Sequence, residues 1–257
     1  MSIKPTMEKT IRVYGHIRDK YDPRDIQFKI TAPVTLPKLI DLRPDCPPVF
    51  DQGQLGSCTA NAIAGAVMFD LMRQKMLPFI PARLFIYYNE RVMENTVNED
   101  AGAQIRDGIK SINALGVPPE KFWPYDITKF AVKPPIEAYA AALKHQAVQY
   151  ASIPQNLIQL RNCLAAGFPF VFGFSVYESF ESAIVAKSGV VNLPGKGEQC
   201  QGGHAVVCVG YDDKSKRFIV RNSWGPDWGQ KGYFTIPYAY LSNTNLASDF
   251  WQINLLS

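Results

Sequence analysis

Between Cys58 and Leu71 the apolar residues Ala60, Ile63, Ala64, Val67, Met68 and Leu71 recur at the i, i+3, i+4, i+7 spacing of a buried helix face. No other stretch constrains the chain as strongly. The helix is preceded by Asp51-Gln52-Gly53-Gln54-Leu55-Gly56-Ser57, a glycine-rich turn ending in a good N-cap residue. It must have ended before Pro78. Cys58 therefore falls in the first turn of a long, largely apolar helix. There the unsatisfied N–H groups and the helix dipole favour an anion, so a thiol ionises more readily. From this stretch alone a buried, inert cysteine fits equally well.

The far end of the chain separates the two. Gly202-Gly203-His204-Ala205-Val206-Val207 is followed by Asn222-Ser223-Trp224-Gly225-Pro226-Asp227-Trp228-Gly229. With Gln52-Gly53-x-x-Gly56-Ser57-Cys58, these motifs stand in an order that resembles the papain-like cysteine peptidases, and most of all their bacterial members. His204 lies 146 residues after Cys58 (from 58 to 204), within the range this family uses. The resemblance runs from about residue 37 to the end of the chain.

What the resemblance implies is a cysteine endopeptidase. Amide hydrolysis by a thiol needs a thiolate, a proton donor for the leaving amine and donors for the developing oxyanion. Cys58 is the implied nucleophile, paired with His204 as thiolate and imidazolium. Asn222 would accept the other imidazole N–H and fix the ring, with Trp224 covering that bond. Gln52 would supply its side-chain N–H to the oxyanion beside the Cys58 backbone N–H. Gly102 stands at the family's substrate-pairing loop, and Gly203 gives a substrate backbone access beside His204. The adjoining side-chain pocket should lie near Gly173, Gly202 and Gln104, where glycines imply room for large apolar groups.

Two positions depart from the family. Leu55 stands where secreted members carry a disulfide cysteine, and Thr59 where a tryptophan is usual, which would reshape the leaving-group side of the cleft. The five cysteines, Cys46, Cys58, Cys163, Cys200 and Cys208, thus read as mostly reduced.

The composition, 47% hydrophobic and 19% charged, is that of a globular protein. No apolar run spans a membrane, and Met1–Lys20 has no signal-peptide core, so a cytoplasmic protein, or one exported without a conventional signal, is expected. Residues 1–38 hold eight basic and four acidic side chains, which is the whole of the net charge of +4. That excess is too small for a nucleic-acid footprint. His16, His145 and His204 are scattered without metal-ligand spacing, so neither metal nor cofactor is expected. The expected partners are peptide or protein substrates, for a monomeric enzyme. A small anion held by Arg12, His16, Arg18, Lys20 and Arg24, with Tyr14 and Tyr21, is a weaker expectation.

Helical patterns come first and strands later, which argues for an α+β fold. Helices are expected over about 79–93, 105–115, from Pro135 to about His145, and 157–165. Strands are expected at 170–176, 189–191, 204–211, 218–222 and 233–236. The resemblance implies two lobes, a mainly helical one over 37–130 and an antiparallel β-barrel-like one over 131–257, with the active site between them. Residues 1–36 are irregular and turn-rich, in the position of a proregion, and are expected to lie extended across the cleft and restrain it. Two rivals remain open: a deamidase or acyl transferase using the same triad, and a non-catalytic module that binds peptides or anions.

Overall fold

The computed structural model describes residues 13–28, 36–145 and 148–255. A short β1 (His16–Ile17) and β2 (Leu39–Asp41) precede the long α1 (Cys58–Arg73). α2 (Arg83–Glu94), β3 (Ala103–Gln104) and α3 (Ile105–Leu115) complete the helical part. Next come α4 (Ile136–Ala142), β4 (Val148–Ser152), α5 (Leu157–Ala165), β5 (Phe170–Tyr177) and α6 (Ala183–Ser188). The chain ends with β6 (Cys200–Asp212), β7 (Arg217–Arg221), β8 (Tyr233–Pro237), α7 (Tyr238–Leu241) and β9 (Ala247–Leu255). This is the expected α+β order.

The strands form an antiparallel seven-stranded sheet in the order β4-β9-β5-β6-β7-β8, with β2 added on β6. Successive strand residues point to opposite faces, and two apolar clusters follow from that alternation. Val171, Ala205, Val207 and Val209 face α1 and pack with Ile63, Val67 and Leu71. Phe170, Phe172, Phe174, Val206 and Cys208 face the other way, onto Phe218, Phe234 and Phe250. Each fully buried Ile, Val or Phe contributes about 1.5–3 kcal/mol relative to exposure. α1 thus holds its position because one face fills the gap between the sheet and helices α2 and α3. Gly108 of α3 permits that approach, since a Cβ there would lie 2.5 Å from Ile63 Cδ1 and 2.4 Å from Glu90 Oε2.

Several boundaries differ from expectation. α2 begins at Arg83 rather than 79, because Pro81 and Ala82 stay extended and the Ala82 N–H bonds the Pro118 carbonyl. The helix from Pro135 ends at Ala142 and tightens into a 3₁₀ turn through His145. Gly189–Val191 is not a strand: Gly189 caps α6 with φ of +61°, leaving Val190 a single bridge to Thr235. β4 and β9 carry no clean alternation, and β9 turns at Asp249, whose φ is +58°. No helix among the described residues is long and apolar enough to cross a membrane.

Candidate active site

The turn before α1 and the end of β7 meet at one point. Cys58 opens α1, completely buried, and its sulfur accepts backbone N–H bonds from Ala205, Gly15 and Thr59. Ala205 follows His204 on β6, so the strand that carries the imidazole passes beside the thiol. His204 Nε2 lies 2.8 Å from Asn222 Oδ1, which also takes the Ser223 N–H at 2.9 Å. Trp224 stacks on the His204 ring at 5.0 Å between centroids and closes that bond from solvent. Trp228 meets Trp224 edge-on at 5.2 Å, inside the apolar cluster of the sheet. All four expected groups, Cys58, His204, Asn222 and Gln52, therefore lie in one buried region.

Gln52 is oriented through residues that the motifs do not reveal. Its Oε1 accepts from Ser223 Oγ at 2.7 Å, which leaves Nε2 to donate to the Leu55 carbonyl at 2.9 Å and the Val13 carbonyl at 3.4 Å. The Gln52 carbonyl accepts from Tyr125 Oη at 2.9 Å. Ser57 is the N-cap by position, but its hydroxyl bonds Tyr125 Oη at 2.6 Å instead of capping α1. Leu55 is buried in the core, and the staple of this turn is Asp100. The Asp100 carboxylate accepts the Gly56 N–H at 3.0 Å and the Tyr87 hydroxyl. Thr59 is turned away from the cleft, against the expectation that it shapes the leaving-group side. It is fully buried and donates to Glu90 Oε1 at 2.6 Å. Burial holds the Glu90 carboxyl well above the usual carboxylate range.

Residues 13–17 cross this site. β1 pairs in parallel with β3, and the Ala103 N–H donates to the Gly15 carbonyl at 2.7 Å. Gly102, at φ of +73°, and Gly203 flank the crossing chain. A Cβ on Gly102 would lie 2.2 Å from the Gly15 oxygen, and one on Gly203 2.3 Å from the His16 oxygen. Both predicted substrate-binding glycines are thus where an extended backbone passes. Gly15 itself has no room for a side chain, since its Cβ would sit 1.7 Å from the Gly56 oxygen. Tyr14 lies edge-on to His204 at 6.0 Å and donates to Glu181 Oε1 at 2.7 Å. Under this cover burial pushes the Cys58 thiol up to about 11, despite the N–H bonds that favour the thiolate. At neutral pH the covered sulfur is a thiol.

The pocket beside Gly173 is not the apolar recess expected from its glycines. The His16 ring fills it, and a Cβ on Gly173 would lie 2.0 Å from His16 Cε1. His16 Nε2 meets Asp249 Oδ2 at 2.9 Å, with both side chains nearly buried. A carboxylate from β9 therefore ends the pocket. Farther along, Trp251 Nε1 donates to Asp19 Oδ2 at 2.7 Å and the Arg106 N–H to Asp19 Oδ1 at 3.1 Å. Burial and the Asp249 charge push the Asp19 carboxyl up to about 7. The basic residues grouped by sequence as an anion pocket go to separate partners: His16 to Asp249, Arg18 to the Thr244 carbonyl and Arg24 to Asp22. Arg12 lies outside the described residues. All five cysteines are free thiols.

The sequence profile of the papain family cysteine proteases matches residues 36–251. A peptidase C1-like protein of Acanthamoeba polyphaga mimivirus is 48% identical, covering 94% of this chain and 86% of its own length. A cathepsin B-like protein, CP3, of Giardia intestinalis is 30% identical over 75% of this chain and 65% of its own. Among solved structures, xylellain, a cysteine protease from Xylella fastidiosa, superposes with a TM-score of 0.90 at 44% identity, covering all of both chains.

Proposed function

Because this chain belongs to the papain family of cysteine proteases, we propose that it is an endopeptidase in which Cys58, His204, Asn222 and Gln52 do the chemistry and residues 13–17 restrain the cleft. In this reading residues 1–36 are the restraining segment, and 37–130 and 131–257 are the two lobes. The observation that carries it is the meeting of the Ala205 N–H with the Cys58 sulfur while His204 is held on Asn222 at 2.8 Å.

Once the covering segment leaves, water and the helix start favour the thiolate, with the proton on His204. The thiolate attacks the scissile carbonyl carbon, and the carbonyl electrons move to an oxygen facing Gln52 Nε2 and the Cys58 N–H. That alkoxide collapses, the C–N bond breaks, and His204 gives its proton to the leaving amine. Water then attacks the thioester carbonyl as His204 removes its proton, releasing the carboxylic product and the thiol. Asn222 Oδ1 accepts from Nε2–H throughout and keeps Nδ1 toward the sulfur. In the restrained state the Gly15 N–H occupies the sulfur and the Val13 carbonyl takes the Gln52 donor.

The test is hydrolysis of a fluorogenic dipeptide amide under reducing conditions. Full-length protein, a chain starting at Pro37 and Cys58→Ala are compared. Trimming raises the rate and Cys58→Ala abolishes it. Equal rates before and after trimming would remove the restraint. Absence of cleavage with intact Cys58 labelling would favour the deamidase or transferase.

A further inference from the structure

A chain of hydrogen bonds runs beneath the turn that carries Gln52, and its donors and acceptors allow one direction only. It starts at Arg83 of α2, whose guanidinium can only donate. Glu120 holds that group with two bonds of 2.9 Å. Arg83 Nη1 then donates to Asn61 Oδ1 at 3.1 Å and to the Asp51 carbonyl at 3.2 Å. The Asn61 amide is thereby oriented, with Nδ2 toward the Ser57 carbonyl at 2.9 Å and the Ser57 hydroxyl at 3.1 Å. At the other end the Gln52 carbonyl can only accept, and it does so from Tyr125 Oη at 2.9 Å. Ser57 Oγ, 2.6 Å from Tyr125 Oη, is therefore the donor of that pair. From Arg83 through Asn61, Ser57 and Tyr125 to Gln52, every donor faces an acceptor.

Two features connect this chain to the chemistry. Ser57 stands at the N-cap of α1, yet its hydroxyl engages Asn61 and Tyr125 and forgoes the bond that ordinarily stabilises a helix start. Gly53 follows Gln52 at φ of +63°, and a glycine there lets the peptide rotate at little cost. The Gln52–Gly53 peptide is instead held at both ends, its carbonyl by Tyr125 and its N–H by Asp51 Oδ1 at 2.9 Å. Ser223 sets the rotation of the Gln52 amide through Oε1, while the backbone from which that side chain projects is left to Tyr125. We propose that Tyr125 is a positioning residue of the reaction, fixing the Gln52 backbone so that Nε2 meets the developing oxyanion. A donor displaced from that point loses stabilisation of the transition state and little of the bound substrate. This rests on the peptidase reading above and adds to it a residue that contacts no substrate.

The test uses the full-length chain carrying Gly15→Ala, whose new methyl group collides with the Gly56 carbonyl and expels the covering segment without truncation. Tyr125→Phe is added to it, which removes the hydroxyl and keeps the ring that lies 3.9 Å from the Arg83 guanidinium. On a blocked fluorogenic dipeptide amide, kcat is expected to fall about tenfold with KM within about twofold of its starting value. With Gln52→Ala also present, Tyr125→Phe should lower kcat by less than about twofold, since the group it places is gone. Alkylation of Cys58 by iodoacetamide builds no oxyanion and should keep its rate. A loss of kcat as large in the Gln52→Ala chain overturns the proposal. So does a parallel fall in alkylation, which would put the damage in the fold or the thiol. The p-nitrophenyl ester of the same peptide acylates Cys58 through an oxyanion without any amide being cut, and release of nitrophenolate separates the two readings. Slower acylation in Tyr125→Phe, with no amide cleaved by any chain, supports the positioning and overturns the peptidase. Acylation unchanged by Tyr125→Phe overturns the positioning whatever the amide does.

Discussion

The two walls of the cleft are held by different forces. On the Cys58 side the turn from Asp51 to Ser57 has no regular structure, and polar side chains fix it. Asp100 accepts from the Gly56 N–H, Tyr125 Oη donates to the Gln52 carbonyl, and Arg83 donates to the Asp51 carbonyl at 3.2 Å while pairing with Glu120 at 2.9 Å. On the histidine side the backbone is already fixed by the β6 ladder, and aromatic rings do the rest. Trp224 stacks on His204, Phe174 meets it at 5.8 Å, and Phe180 packs on Trp224 at 5.4 Å. A turn needs hydrogen bonds to hold its shape, whereas a strand residue needs only its ring oriented. The Cys58 wall should accordingly respond to lost charge and the His204 wall to lost volume.

Phe180→Ala gives the largest expected effect. Phe180 is 2% exposed, and the cavity should cost about 3–5 kcal/mol of stability in chemical denaturation. A loss under 1 kcal/mol would contradict an aromatic scaffold. Gln52→Ala should lower kcat by about a hundred- to a thousandfold, as the loss of one oxyanion donor does elsewhere. Single-turnover kinetics on a peptide amide would show whether acylation carries the loss. Asp100→Asn replaces charge-assisted bonds to Gly56 and Tyr87, and should cost about 1.5–3 kcal/mol in the same denaturation assay. No change would mean that the turn is held without its carboxylate.

The smallest effect concerns the segment bridging the walls. Asp19, held up to about 7 when docked by burial and the nearby Asp249 charge, faces Arg106 as well, and Asp249 in turn holds His16. An acid raised on docking keeps its proton best in the docked state, so docking is strongest below about pH 4. It weakens as pH rises to about 7 and changes no further above that. The activity ratio of the wild-type chain to Asp19→Asn should therefore climb between those limits and then level. A flat ratio would show that Asp19 does not couple to docking.

Much of this was legible in the sequence. The 3.6-residue pattern after Cys58 and the Gly-Gly-His and Asn-Ser-Trp-Gly motifs place the four candidate groups, because each sits in a local pattern that neighbours explain. Residues recruited from afar were hidden. Asp100 lies 44 residues from Gly56, and Asp249 is brought to His16 across 233 residues by β9 alone. Glycines around the pocket signal space but not the charge at its end. Thr59 misled because a cleft position in the motif is, in this fold, rotated onto the buried Glu90.

The account turns on whether the segment over the cleft masks a reactive thiol. Alkylation of Cys58, followed by mass spectrometry of its peptide so that Cys46 and Cys200 do not interfere, measures this across pH. In the full-length chain labelling should be slow at pH 7 and rise only toward the covered thiol's value of about 11, whereas Gly15→Ala should label rapidly at neutral pH. Equal, rapid labelling of both chains at pH 7 would contradict the account.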